Sequence, residues 1–138
     1  LTTKNLSDFE FSRVLTLVAS VKSDYYSNSL LKELLDRDLS DVAFNKVIGM
    51  IKNMKSSYNA TNLYKKIAKN DKLTETQLIN ILKSVSEQIR SEHNLSTILV
   101  AFSKRVKKSS QKVKTAYFTA SKTINSDMYY GKAMKAIN

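Results

Sequence analysis

Four stretches of the chain place apolar residues at helical spacing. They are Phe11, Val14, Leu15, Val18 and Val21; Phe44, Val47, Ile48, Ile51 and Met54; Leu78, Ile81, Leu82, Val85 and Ile89; and Val113, Ala116, Tyr117, Ala120 and Ile124. Steps of three and four keep side chains on one helical face, and alternation of period two is nowhere sustained, so strands are not expected. Between these stretches run four others that open at Ser23, Ser56, Ser91 and Ser126 and align in columns. The columns are Tyr25, Tyr58, His93 and Met128; Leu30, Leu63, Ile98 and Ala133; Leu31, Tyr64, Leu99 and Met134; and Leu34, Ile67, Phe102 and Ile137. All four can be apolar, and shifting a copy by one residue puts Lys or Asn into the stripe. A further column, Asn28, Thr61, Ser96 and Gly131, stays small or polar, as expected where helices approach closely or one faces water.

The opening Ser23-Asp24-Tyr25-Tyr26-Ser27-Asn28-Ser29-Leu30-Leu31 returns in degraded form after 33, 35 and 35 residues. Periods of this size mark stacked helical hairpins, in which one unit cannot bury its apolar face alone. The pattern predicts helices at 8–21, 24–37, 41–54, 57–69, 75–89, 92–104, 110–124 and 127–137. The short connections Arg37–Ser40 and Lys69–Thr74 suit antiparallel neighbours. The expected fold is all-α, a right-handed α-solenoid of about 3.5 antiparallel helix pairs. One helical-repeat domain would span 1–138, with a half unit at 1–22, units at 23–55, 56–90 and 91–125, and a half unit at 126–138.

Leu6-Ser7-Asp8, Leu39-Ser40-Asp41 and Leu73-Thr74-Glu75 read as helix starts. The hydroxyl accepts from a first-turn amide and the acid suits the positive end of the helix dipole. Glu10 and Gln77 stand three residues after Ser7 and Thr74, so these two starts can close a reciprocal capping box. Ala43 and Val113 cannot return that bond, which predicts weaker starts at Ser40 and Ser110.

The Ser-Asp-Tyr-Tyr start, the Leu30-Leu31 pair and the following Leu-Ser-Asp start resemble a bacterial helical repeat found in the extracytoplasmic tails of membrane zinc-peptidase sensors of the β-lactam-receptor type. More broadly the pattern is similar to HEAT-like and tetratricopeptide-like solenoids. The copy at Ser91 departs from it, reading Ser-Glu-His-Asn. The resemblance implies an interaction or sensing role outside the cytoplasm. The peptidase itself would lie elsewhere, since His-Glu-x-x-His is absent and the chain has one His.

Composition narrows the chemistry. Pro is absent and only Gly49 and Gly131 occur, which favours uninterrupted helices. Without Cys there is no disulfide framework, thiolate nucleophile or cysteine zinc site. The longest apolar run, Ile98 to Phe102, falls far short of the ~18 residues that suggest a spanning helix. The chain opens on Leu1 directly into repeat sequence, with no recognisable signal peptide, and reads as a fragment or a processed product.

Two glycines so far apart build no phosphate loop. His93 could be imagined as a base or a ligand, but it stands where Tyr25 and Tyr58 stand and is expected to be an aromatic-sized filler of a packing column. Asp36, Asp38 and Asp41 bunch without the order of a calcium loop and read as a solvated turn. Asn5-Leu6-Ser7, Asn59-Ala60-Thr61 and Asn94-Leu95-Ser96 match the glycosylation pattern and read as coincidences. The seven tyrosines mostly fall in apolar columns, which reads as core or groove lining. No nucleophile has a partner base, so neither an enzyme nor a cofactor is expected.

Charge adds the one unexplained feature. The net charge is +11, and it is concentrated in 91–125, where seven cations face the single carboxylate of Glu92. Lys104, Arg105, Lys107, Lys108, Lys112 and Lys114 crowd one helix end, a turn and the next helix start, and read either as a lysine-rich solvated turn or as a candidate anion or acidic-partner patch. The expected function is a non-enzymatic scaffold binding a protein or peptide. The alternative is a nucleic-acid-binding repeat that grips phosphates through the basic third unit. Homo-oligomerisation through exposed end repeats is a further expectation.

Overall fold

The computed structural model describes residues 7–20 and 24–138, and among these every regular element is a helix. The eight helices are α1 (Asp8–Ser20), α2 (Asp24–Leu35), α3 (Asp41–Lys52), α4 (Ser57–Ile67), α5 (Glu75–Gln88), α6 (Glu92–Lys107), α7 (Gln111–Ser121) and α8 (Asp127–Ile137). The expected all-α class and helix count hold, with ends displaced by three residues at most. Two ends differ by three residues: α7 stops at Ser121, and α6 runs on to Lys107 because Val106 continues the buried stripe of Leu99 and Phe102. Leu6, Val21 and the Ser23 start lie outside the described residues, as does the side chain of Val18.

The chain divides into two compact units, residues 1–66 and 67–138. In the first, α1 packs on α3 more extensively than on α2. Phe11, Leu15, Leu31, Leu34, Phe44, Val47, Ile51, Leu63 and Tyr64 are buried. In the second, α5 packs on α7 and α6 on α8, each more extensively than on the helix next in sequence. Its buried side chains include Leu78, Ile81, Leu82, Val85, Ile98, Leu99, Phe102, Val113 and Tyr117. The Tyr117 hydroxyl donates to the Ala133 carbonyl at 2.6 Å, which ties α7 to α8 inside the core. Burial pushes the phenols of Tyr64 and Tyr117 well above their ordinary range.

Helix starts follow the local chemistry. Thr74 and Gln77 close the capping box, with Gln77 N–H on Thr74 Oγ1 at 3.1 Å and Thr74 N–H on Gln77 Oε1 at 3.0 Å. Ser7 and Glu10 form the same reciprocal pair. Ser40 accepts from Ala43 N–H at 3.1 Å, and Ser110 makes no side-chain cap at all.

One expectation is corrected. The column Tyr25, Tyr58, His93 and Met128 is exposed, at 69%, 73% and 62% for Tyr25, Tyr58 and Met128, and His93 is exposed as well. Each stands five residues before the first core column, and at 100° per residue that is about 140° round the helix, away from the Leu31 and Leu34 side. His93 is therefore no packing filler; its ring meets Tyr129 edge-on at 5.5 Å on the surface. The tyrosines divide accordingly. Tyr64 and Tyr117 are core, Tyr25, Tyr26 and Tyr58 are exposed, and Tyr129 and Tyr130 are half-buried.

Candidate partner-binding surface

The six clustered cations straddle the α6–α7 turn. Lys104, Arg105 and Lys107 occupy the last turn of α6 and Lys108 is its C-cap, with its N–H on the Arg105 carbonyl at 3.2 Å. The turn closes as Ser109 N–H bonds the Val106 carbonyl at 3.0 Å and Ser109 Oγ the Arg105 carbonyl at 2.8 Å. Cations suit this end of a helix, where unpaired carbonyls gather negative charge. Lys112 and Lys114 have no such support, because they stand at the start of α7, where the dipole is positive and no acid occupies the first turn.

Lys104, Lys107, Lys108 and Lys112 are exposed, while Arg105 and Lys114 are half-buried. Arg105 Nη1 is buried without a hydrogen-bond partner. Among the described residues, the ion pairs are Arg37–Glu33 at 3.4 Å and Lys66–Asp36 at 2.6 Å, so none involves the cluster. The acid beside it, Glu75, is already committed. Its Oε2 accepts the Ser110 N–H at 3.0 Å. Hydrogen bonding from the Ser110 hydroxyl and then from its backbone N–H holds the carboxyl below its usual range, with Arg105 adding a smaller pull.

Aromatic rings are not offered beside the cluster. Phe102 and Tyr117 are fully buried and Phe118 is half-buried, its ring edge-on to Tyr117 at 6.5 Å. Exposed cations without exposed rings can hold carboxylates or phosphates but give bases little to stack on.

A second feature of this unit escaped the sequence reading. Between α6 and α8 lies an open groove of about 360 Å³, lined by Ser96, Thr97, Val100, Lys132, Lys135 and Ala136. Lys132 and Lys135 are exposed and neither makes an ion pair. The hydroxyls of Ser96 and Thr97 both donate to the His93 carbonyl at 2.9 Å, so their protons are already committed within α6. The signal that would have found the groove was Val100, an apolar residue outside every core column and 40% exposed.

The remaining candidates are dispersed. Asp36, Asp38 and Asp41 are exposed, and no group of three or more His, Asp or Glu among the described residues could hold a metal ion. Ala60, Thr61, Leu95 and Ser96 are buried in helices, which keeps two of the three glycosylation-like triplets from being acceptor loops; Asn5 lies outside the described residues. No described helix is long and apolar enough to cross a membrane. Comparison with family models, with curated proteins and with solved structures found no match.

Proposed function

We propose that the chain is a non-enzymatic helical-repeat scaffold, an α-solenoid of antiparallel helix pairs, whose basic second unit binds an acidic protein or peptide partner. The period of 33 to 35 residues supports the stacked-repeat reading, as does the packing of α5 on α7 and α6 on α8. The observation that carries the binding role is the set of cations at the α6–α7 turn, exposed for the most part and free of ion pairs. Its lysines at a helix start oppose the dipole, a placement that local stability does not favour. The Ser-Asp-Tyr-Tyr resemblance supports assigning the module to the sensing or interaction tail of a larger bacterial protein outside the cytoplasm.

The test compares two variants, one with these six residues changed to Gln and one with six scattered lysines changed to Gln. An acidic peptide should lose affinity chiefly in the first, at physiological salt. If duplex DNA binds more tightly than the peptide, with a log affinity against log salt slope of about −5 that only the cluster variant flattens, the partner is nucleic acid instead.

A further inference from the structure

We infer that the α6–α8 groove is the seat for an aliphatic side chain of the acidic partner, with Lys132 and Lys135 holding the carboxylates beside it. This rests on the acidic-partner reading above and adds where, and by what chemistry, the partner docks.

The sequence repeat supplies an internal control. Nine residues after the opening serine of each even-numbered helix stand Lys32, Lys65, Val100 and Lys135, and ten after stand Glu33, Lys66, Ala101 and Ala136. At the positions of α2 and α4 that correspond to the groove, the first unit thus carries Ser29, Lys32, Asn62, Lys65 and Lys66, all polar. One of these, Lys66, is neutralised by Asp36 at 2.6 Å. In the second unit Val100 and Ala136 stand in lysine-bearing columns and make the groove apolar.

The surviving cations there have no answering acid. From 91 to 138 the only acids are Glu92 and Asp127. Glu92 accepts the backbone N–H of Asn125 and, at 3.1 Å, that of Ser126. Asp127 lies in the first turn of α8 and makes no ion pair with Lys132 or Lys135. An apolar floor beside unneutralised lysines complements a segment in which an aliphatic residue is flanked by Glu or Asp. A sugar-phosphate backbone matches the lysines but has nothing aliphatic to cover Val100 and Ala136. The volume is at the lower end of ligand pockets, enough for a short anchor of a longer chain.

The probe is a fluorescein-labelled peptide, Glu-Leu-Glu-Glu-Leu-Glu, titrated by anisotropy at physiological salt. Lys132→Glu with Lys135→Glu should weaken binding by about tenfold or more, because both groove cations are reversed. Lys69→Glu with Lys72→Glu, an equal charge change at exposed positions between α4 and α5, should alter it by no more than about twofold, since those residues belong neither to the groove nor to the cationic cluster. Val100→Lys decides the matter. It restores the residue of the other copies, at an exposed position that folding tolerates, and adds a cation. Binding about fivefold weaker despite the extra charge supports an apolar seat. Equal or tighter binding to Val100→Lys, or equal losses in the two charge-reversed pairs, overturns the groove while leaving the acidic-partner reading intact. No binding by the parent protein overturns both.

Discussion

The two units are both built of packed helices and differ in what they present. The first carries ten cations against seven carboxylates and exposes Phe9, Leu17, Tyr25, Tyr26, Val42 and Tyr58. The second carries thirteen against five and exposes only Val100 and Met128 among its large apolar side chains. The braces differ too. In the first unit Lys46 donates to Ser12 across α3 and α1, and Lys66 pairs with Asp36. In the second, glutamates at the first position of α5 and α6 reach amides at the starts of α7 and α8. The core columns carry the fold, which leaves the exposed positions free to diverge.

The largest effects should come from what the units have in common. Leu34→Ala in the first, and Ile67→Ala and Ile81→Ala in the second, each remove a side chain no more than 1% exposed. Each should cost about 2–5 kcal/mol in denaturant unfolding, and melts within a degree or two of the parent would show that the columns are misassigned. Tyr117→Phe separates the units. It strips the Ala133 carbonyl of its buried donor and should cost about 1–2 kcal/mol; the aligned first-unit residue, Val47, has no such bond to lose.

The carboxylate braces sharpen the contrast through pH. Glu75 is held below its ordinary range, so its folded form gives stability that is present above the unfolded value and is lost as pH falls through the folded one. Glu75→Gln should melt about one to two degrees below the parent near neutral pH, the small scale of an exposed interaction. The gap should close as the pH drops below about 4. A gap that persists unchanged in acid would assign the loss to packing. The smallest effect is expected for His93→Tyr, which places the first unit's residue on an exposed position and should shift stability by no more than about 0.5 kcal/mol.

Helix existence and register were readable because Leu31, Leu34, Ile81 and Phe102 recur at spacings only a helix places together. The Thr74 box was readable because its chemistry is local. Not readable was the exposure of Tyr25 and His93, because columns that align in sequence are equivalent without being buried, and only their angle to the core stripe decides. The Glu75–Ser110 and Glu92–Ser126 braces were hidden for a different reason: they join residues 35 and 34 apart, and no short motif announces them. The basic cluster was visible as a charge run, whereas the groove took shape only once α6 lay beside α8.

The layering of the second unit also bears on how it yields to force. With α5 held by α7 and α6 by α8, each helix grips the next but one along the chain. Contacts of that reach close short loops, so order can spread from one helix to the next with little entropic penalty at each step. Pulled from its ends, such a unit should lengthen in increments, shedding a helix at a time and recovering each one as tension drops. Such a unit is expected to yield gradually under tension rather than all at once.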